Sequence, residues 1–322
     1  TWMDDPSMPT SFEICVSTPS SIIVDNTTHT VEGIVQDVLV AASCASINNI
    51  TWKTGLDEDG NGINGIAYFE KGLSTFPMEK GVVLMTGDAM AAPGPNLGTS
   101  MDGGWEDDDQ LFDYMTDLGL DPGTHHDATI LEFDFVPLSN KLKFPFIFAS
   151  EEYEDDFECS DNYRDGFAFL ISGPGITDSS GAPFGGENIA SVPDSGGIPV
   201  STQSIHADYF VCTGDVQNQN FFPLYYVSNS NANNSNEFQF DGRTISLTAR
   251  ADIIPGETYT MKMVIADRSD SSFDSAVFLK AGSFDIGFGI GKINGGMSNI
   301  EVAGDDHRLC RLGGAAARGG DR

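Results

Sequence analysis

Residues 128–150 read ATILEFDFVPLSNKLKFPFIFAS: Leu131, Phe133 and Phe135 alternate with Glu132 and Asp134, and Leu142, Phe144, Phe146 and Phe148 repeat the pattern. Side chains along a strand point to alternate faces, so apolar residues two apart place one face of each segment in a core. The Ser139-Asn140 step between them reads as a short turn, and the pair as a hairpin. Immediately downstream, Phe148 to Gly175 carries Glu151, Glu152, Glu154, Asp155, Asp156, Glu158, Asp161 and Asp165 between this aromatic strand and a second apolar strand, Phe167 to Ile171. So many carboxylates between two buried strands need a cation or a great deal of water.

The rest of the chain extends the same pattern. Gly81–Thr86, Thr244–Ala249, Tyr259–Asp267 (Tyr259, Met261, Met263 and Ile265 on one face) and Ala276–Phe284 read as strands, as do Ser46–Trp52 and Tyr209–Cys212. Val31–Ala42 has Val31, Ile34, Val35, Val38, Leu39 and Ala42 at helical spacing, and Asp107–Leu118 predicts a short helix with Leu111, Met115 and Leu118 inward. Gly87–Gly104, Ile176–Ser204 and Gln217–Asn236 read as long surface loops. With 36 Gly, 15 Pro and 22 Phe in 322 residues, and neither a fixed repeat nor a βαβ rhythm, the fold class is mainly β: an antiparallel, jelly-roll-like β-sandwich with one or two short helices packed on it. Its expected divisions are a lead-in over 1–30, the sandwich over 31–285, and an extension and flexible tail over 286–322.

The net charge of −32, from 48 acidic and 16 basic residues, excludes a nucleic-acid partner, because phosphate binding needs the opposite sign. No apolar run is long enough to span a bilayer, and the opening Thr1 is what a chain would show after losing a leader. Cys15, Cys44, Cys159, Cys212 and Cys310 have no CxxC spacing. In an extracellular chain they predict two disulfides, paired by proximity as Cys15 with Cys44 and Cys159 with Cys212, leaving Cys310 over.

Calcium is the expected cofactor, because hard oxygen donors are abundant and calcium takes six to eight of them. Glu152 and Asp165 are candidate ligands, joined by Asp267, Asp270 and Asp274 of IADRSDSSFDSA if the strands are neighbours; the alternative is hydrogen-bonded carboxylates that cap turns. A second candidate is Asp57, Asp59 and Asn61 ahead of Gly62; Tyr68 stands where an EF-hand would need its bidentate Glu, leaving a non-EF calcium loop or a plain Asn/Gly/Asp turn. His125-His126-Asp127 reads as a solvent-exposed turn, since adjacent histidines on an extended segment diverge. Trp105, Tyr153, Tyr163, Tyr225 and Tyr226 are the aromatics placed in loops and so the candidates for stacking on a sugar. A glycoside hydrolase using Glu152 with Asp165 or Asp274 is the catalytic alternative, and there is no GxSxG for a serine hydrolase.

A family resemblance adds to this reading. FASEEY (148–153), DGFAF (165–169), ISGPG (171–175), NIASVP (188–193), FDGRTISLTA (240–249), PGETYTMKMVIAD (255–267) and DSAVFLKAGSF (274–284) resemble the choice-of-anchor L domain family. VQDVL in the first helix, GIAYF (65–69) and GPN (94–96) stand in the same order upstream. The resemblance implies a bacterial exported domain of secreted or surface proteins whose anchoring parts differ between members. Arg164-Asp165 replaces the family's usual Asn-Asp, and no recognisable anchor follows Phe284. The expectation is a non-catalytic, calcium-stabilised module that binds an extracellular glycan, polymer or surface protein. Its alternatives are self-association as a subunit of an extracellular layer or fibre, and the hydrolase.

Overall fold

A computed structural model describes residues 21–40, 46–55, 64–98, 105, 107–117, 125–154, 158, 165–177, 186–207, 222–229, 237–269 and 271–286. The strands are β1 (Ile23–Asp25), β2 (Ser46–Lys53), β3 (Ile66–Glu70), β4 (Lys80–Met85), β5 (His125–Val136), β6 (Lys141–Ser150), β7 (Gly166–Ser172), β8 (Gly186–Asn188), β9 (Tyr226–Ser228), β10 (Gly242–Thr244), β11 (Leu247–Asp252), β12 (Tyr259–Arg268) and β13 (Ser275–Lys280). One sheet runs β1-β3-β4-β13-β6-β10-β9, with β11 also on β6; the other runs β2-β5-β12-β7-β8. Every pairing is antiparallel, giving the mainly β two-sheet architecture that the alternation implies.

The expected hairpin over 128–150 is not one. β5 pairs β2 and β12 in one sheet, while β6 pairs β10, β11 and β13 in the other. The aromatic rows of both strands face inward, so they meet face to face across the core instead of edge to edge. Phe284 sits between them, with ring centroids 5.3 Å from Phe133, 5.3 Å from Phe135 and 5.2 Å from Phe144. The link between the strands draws its hydrogen bonds from the same C-terminal segment, Leu138 and Ser139 both donating N–H to the Ile286 carbonyl.

Three apolar layers result. Between the sheets lie the inward rows of β5, β6, β7, β12 and β13. The outer face of the larger sheet is covered too: Phe69, Ile147, Ala149 and Phe278 pack with Phe76, Phe238 and Phe240 from loops. This is why β6 is buried on both faces beyond Phe146, although period two marks only one. On the outer face of the smaller sheet, helix α2 (Asp109–Asp117) lays Leu111, Tyr114 and Met115 on Ala128, Ala168, Val264 and Ala266. The small alanines let the helix approach closely. Asp108 holds the helix start, its Oδ1 accepting from the Leu111 N–H at 2.9 Å and its Oδ2 pairing with Lys262 Nζ at 2.6 Å.

Other departures have local causes. The helix predicted over 31–42 is an α turn, α1 (Val31–Gly33), capped by the Thr30 hydroxyl, that widens into a π turn over Ile34–Leu39. Its inward face, Ile34, Val35, Val38 and Leu39, is the one predicted, and the Val38 and Leu39 carbonyls of its last turn accept from Gly282 and Phe284. The strand read over 244–249 breaks at Ile245, whose N–H goes to the Tyr225 carbonyl. The region 176–204 is not all surface loop: Ile189, Ala190, Val192 and Val200 are buried in the main core, because short apolar runs lie between its glycines and prolines. Tyr209–Cys212, Leu118 and the residues after Ile286 lie outside the described residues.

Gly81 marks a close approach of β4 and β13 in the larger sheet. A Cβ there would lie 1.8 Å from the Leu279 carbonyl oxygen on β13, so Gly81→Ala must push β4 and β13 apart. The expected result is a loss of about 2 kcal/mol in urea unfolding, the scale of overpacking a tight site; a loss below a few tenths would contradict this contact.

Candidate cation site

The inward row of β12 runs Tyr259, Met261, Met263, Ile265 and then, past a shift of register, Asp267. At the same end of the sandwich Asp165 precedes β7, Asp274 precedes β13, Asp127 lies in β5 and Thr86 follows β4. The apolar core therefore ends in a plug of buried acids: Asp127, Asp267 and Asp274 are each at most 1% exposed, and Asp165 and Glu152 2% and 3%.

Most of these acids have donors. Asp165 accepts from the Arg268 N–H at 3.2 Å and from the Ser275 hydroxyl. Asp274 accepts from the Thr86 hydroxyl at 3.4 Å, and Asp127 from the Trp105 N–H at 2.8 Å. Glu152 stands 3.5 Å from the Asp165 N–H. Gly87 makes room for Asp274, since a Cβ there would fall 2.3 Å from its Oδ2.

Asp267 is different. Among the described residues, neither of its carboxylate oxygens has a partner in hydrogen-bond geometry. Burial pushes its pKa well above the ordinary carboxylate range, and the negative charges of Asp165 and Asp274, then Asp127, push the same way. The nearby Thr86 hydroxyl favours the anion, from outside hydrogen-bond geometry, and offsets only part of this. Arg268 follows Asp267 directly in the strand, so its side chain leaves on the opposite face. An acid so placed takes up a proton or requires a cation. The nearby side-chain donors of Asp165, Asp274, Asp127 and Thr86 are hard oxygens, as is that of Thr129, whose hydroxyl is also buried without a partner among the described residues and lies in the strand opposite Ile265. This donor set suits calcium and not a soft metal. Among the described residues, no three His, Cys, Asp or Glu side chains already form a coordination shell.

Of the residues proposed from sequence, Glu152, Asp165, Asp267 and Asp274 meet at this end, while Asp270, Asp57, Asp59 and Asn61 lie outside the described residues. Asp127, Thr86, Thr129 and Ser275 were not anticipated. His125-His126-Asp127 is not an exposed turn: β5 begins at His125, and His125 and Asp127 are buried while His126 is half-buried. The strand simply starts three residues before its apolar pattern does. Its one available signal was the alternation itself, since Asp127 keeps the parity of Leu131 and Phe133.

The loop aromatics divide as well. Trp105 donates its indole N–H to the Ala128 carbonyl at 3.2 Å, and its ring fills the space a Cβ on Gly55 would need. Tyr226 donates to Glu154 at 2.8 Å and packs at 5.0 Å on Tyr153, which is not exposed for stacking but fully buried in the main core. Tyr225 lines an open cleft, and Tyr163 and all five cysteines lie outside the described residues.

Two antiparallel sheets, loops and a short helix over their outer faces, and a buried acidic end define a β-sandwich domain whose carboxylates sit inside the scaffold. The chain belongs to the Choice-of-anchor L domain family, whose model matches residues 23–285. This places it among the domains of exported bacterial surface proteins. The match includes β1, which pairs β3 at the sheet edge. No curated protein and no solved structure matches the chain. No helix among the described residues is long and apolar enough to cross a membrane.

Proposed function

We propose that this domain is a calcium-stabilised, non-catalytic binding module of an exported surface protein, holding an extracellular glycan, polymer or protein partner. The observation that carries the calcium reading is Asp267: buried, with no donor in hydrogen-bond geometry among the described residues, and faced by other acids. Calcium would be held by Asp267 with Asp165, Asp274 and Glu152, and by Asp127 and the nearby hydroxyls. It would tie β12, β7, β13 and the start of β5 together at one end, supplying positive charge and no chemistry. The non-catalytic reading draws support from the burial of Glu152, Asp165 and Asp274, since a carboxylate pair that cleaves a polysaccharide has to face a cleft.

The test is a melting series on chelated protein. Millimolar calcium is expected to raise the melting temperature by roughly 5–15 °C, because a ligand at a thousand times its dissociation constant contributes about 4 kcal/mol and each kcal/mol moves a domain of this size by about 2–4 °C. Magnesium is expected to do less, since it demands a tighter octahedron. Unchanged melting in calcium removes the cation. On immobilised glycans, polymers and surface proteins, binding is expected to be lost in EDTA and no product released.

A further inference from the structure

Strand β11 pairs on one side only, with Thr248 opposite Pro145 and Arg250 opposite Lys143 of β6. Pro145 has no N–H, and Lys143 spends both its N–H and its carbonyl on Asp285, across the other edge of β6, at 3.4 and 3.0 Å. In an antiparallel ladder residues bond to a given neighbour at alternate positions, so Thr248 and Arg250 direct their own N–H and carbonyl groups away from β6. Among the described residues no strand pairs with that outer edge. The row is already begun beside it: β9 pairs β10 as far as Tyr226 with Thr244, and the Tyr225 carbonyl still accepts from Ile245.

The edge opens on a cleft of about 460 Å³, with the 191–197 loop as its far wall. That wall is braced from within. Val192 donates its N–H to the Ile198 carbonyl at 2.8 Å, and the Ser195 hydroxyl accepts from the Ile198 N–H at 2.9 Å and donates to the Val192 carbonyl at 2.7 Å. Arg250 stands exposed at the cleft with no ion pair among the described residues, in a chain with 48 acidic and 16 basic side chains. Asp194 is exposed on the far wall, so an incoming anion is favoured on the β11 side of the cleft. The lining carries the hydroxyls of Ser191, Ser246 and Thr248, which suit many polar ligands, but only one aromatic ring among its lining residues, Tyr225. What favours a polypeptide is outward main chain at strand spacing with a cation at the edge.

We propose that the cleft is a strand-addition site for an extended polypeptide segment, its main chain paired with Thr248 and Arg250 and one acidic side chain on the Arg250 guanidinium. The added strand continues the row of β9 and covers an edge that no described strand covers. This rests on the reading of the domain as a binding module and narrows its partner to a polypeptide; calcium enters only by holding the domain folded and does not touch the peptide. The calcium reading is judged by melting and this one by peptide binding, so either can fail alone.

The full chain, kept in calcium, is panned against a display library of random linear peptides, and enriched sequences are synthesised. The expected peptides carry an acidic residue at a common position, and hydrogen exchange shows protection on binding that includes 247–252. Arg250→Glu is expected to weaken binding at least about tenfold, the scale of one charge-assisted bond, and to do so much less for the peptide with that acid changed to its amide. Thr248→Pro removes one outward N–H without touching the β6 ladder and is expected to weaken both peptides equally. Melting of each variant guards against misfolding, and Arg250→Glu, a change at an exposed side chain, decides the matter if Thr248→Pro unfolds. The proposal is overturned if no peptide is enriched, if protection falls elsewhere, if Arg250→Glu leaves affinity unchanged, or if a glycan displaces the peptide from the cleft.

Discussion

Asp267→Asn is expected to make the calcium-free protein more stable at neutral pH and to abolish its response to calcium. Without a cation, Asp267 at pH 7 is either an unpaired buried anion or holds a proton, beside Asp165, Asp274 and Asp127. Its folded-state pKa is raised, so folding takes up a proton. The associated stability is present in full below the ordinary carboxylate value of about 4 and is lost as pH rises toward the folded-state value, at about 1.4 kcal/mol per pH unit. An amide fills the same space without that dependence. Chelated wild type should therefore melt progressively lower from pH 5 to pH 8, while the variant follows a shallower line that stays above it at pH 7 by several degrees. The net charge of −32 adds self-repulsion to both proteins alike, so the difference between the two curves is the measurement. In calcium the order reverses, because the variant has lost a ligand. A variant destabilised equally with and without calcium, with an unchanged pH slope, would count against both proton and cation at this site.

The second large effect is expected at Phe169. Its ring stands 5.0 Å from Phe144, 5.1 Å from Phe146 and 4.7 Å from Phe167, bringing rows from both sheets into one aromatic cluster. Phe169→Ala leaves a cavity that the strands cannot close, since β7 is bonded to β12 on one edge and β8 on the other. Urea unfolding in saturating calcium should lose about 3–5 kcal/mol, and the melting temperature roughly 10 °C. Phe112→Ala is the control: that ring is 36% exposed on α2 and meets His125 only at 6.3 Å, so its loss should cost under about 1.5 kcal/mol. Equal losses at the two positions would mean that the sheets do not meet through this cluster.

Much of the core was legible because alternation is a local property. Leu131, Phe133 and Phe135, Phe144 to Phe148, and Tyr259 to Ile265 declare their buried face without reference to any other strand. What lay beyond period two was harder. Ile147 and Ala149 are buried because Phe76, Phe238 and Phe240 arrive from distant loops, and Ile189 and Val200 are buried although glycine and proline surround them. Glu152, Asp165, Asp267 and Asp274 were legible as acids at strand ends, but Asp127 and Thr86 were not. Asp127 lies ahead of the apolar run of its own strand, and Thr86 looks like any polar residue closing one.

The sequence by itself determined which residues turn inward, that the chain is a mainly β sandwich, and that its strands end in carboxylates, since each of these follows from residue type and a two-residue repeat. The tertiary structure decided which inward rows meet. It sent β5 and β6 to different sheets around Phe284 where a short turn had suggested a hairpin. Among the described residues it also left Asp267 with no donor in hydrogen-bond geometry and β11 with one unpaired edge. Those outcomes depend on pairings between residues far apart in the chain, and the energy that selects among pairings is packing across the core, which no single stretch contains.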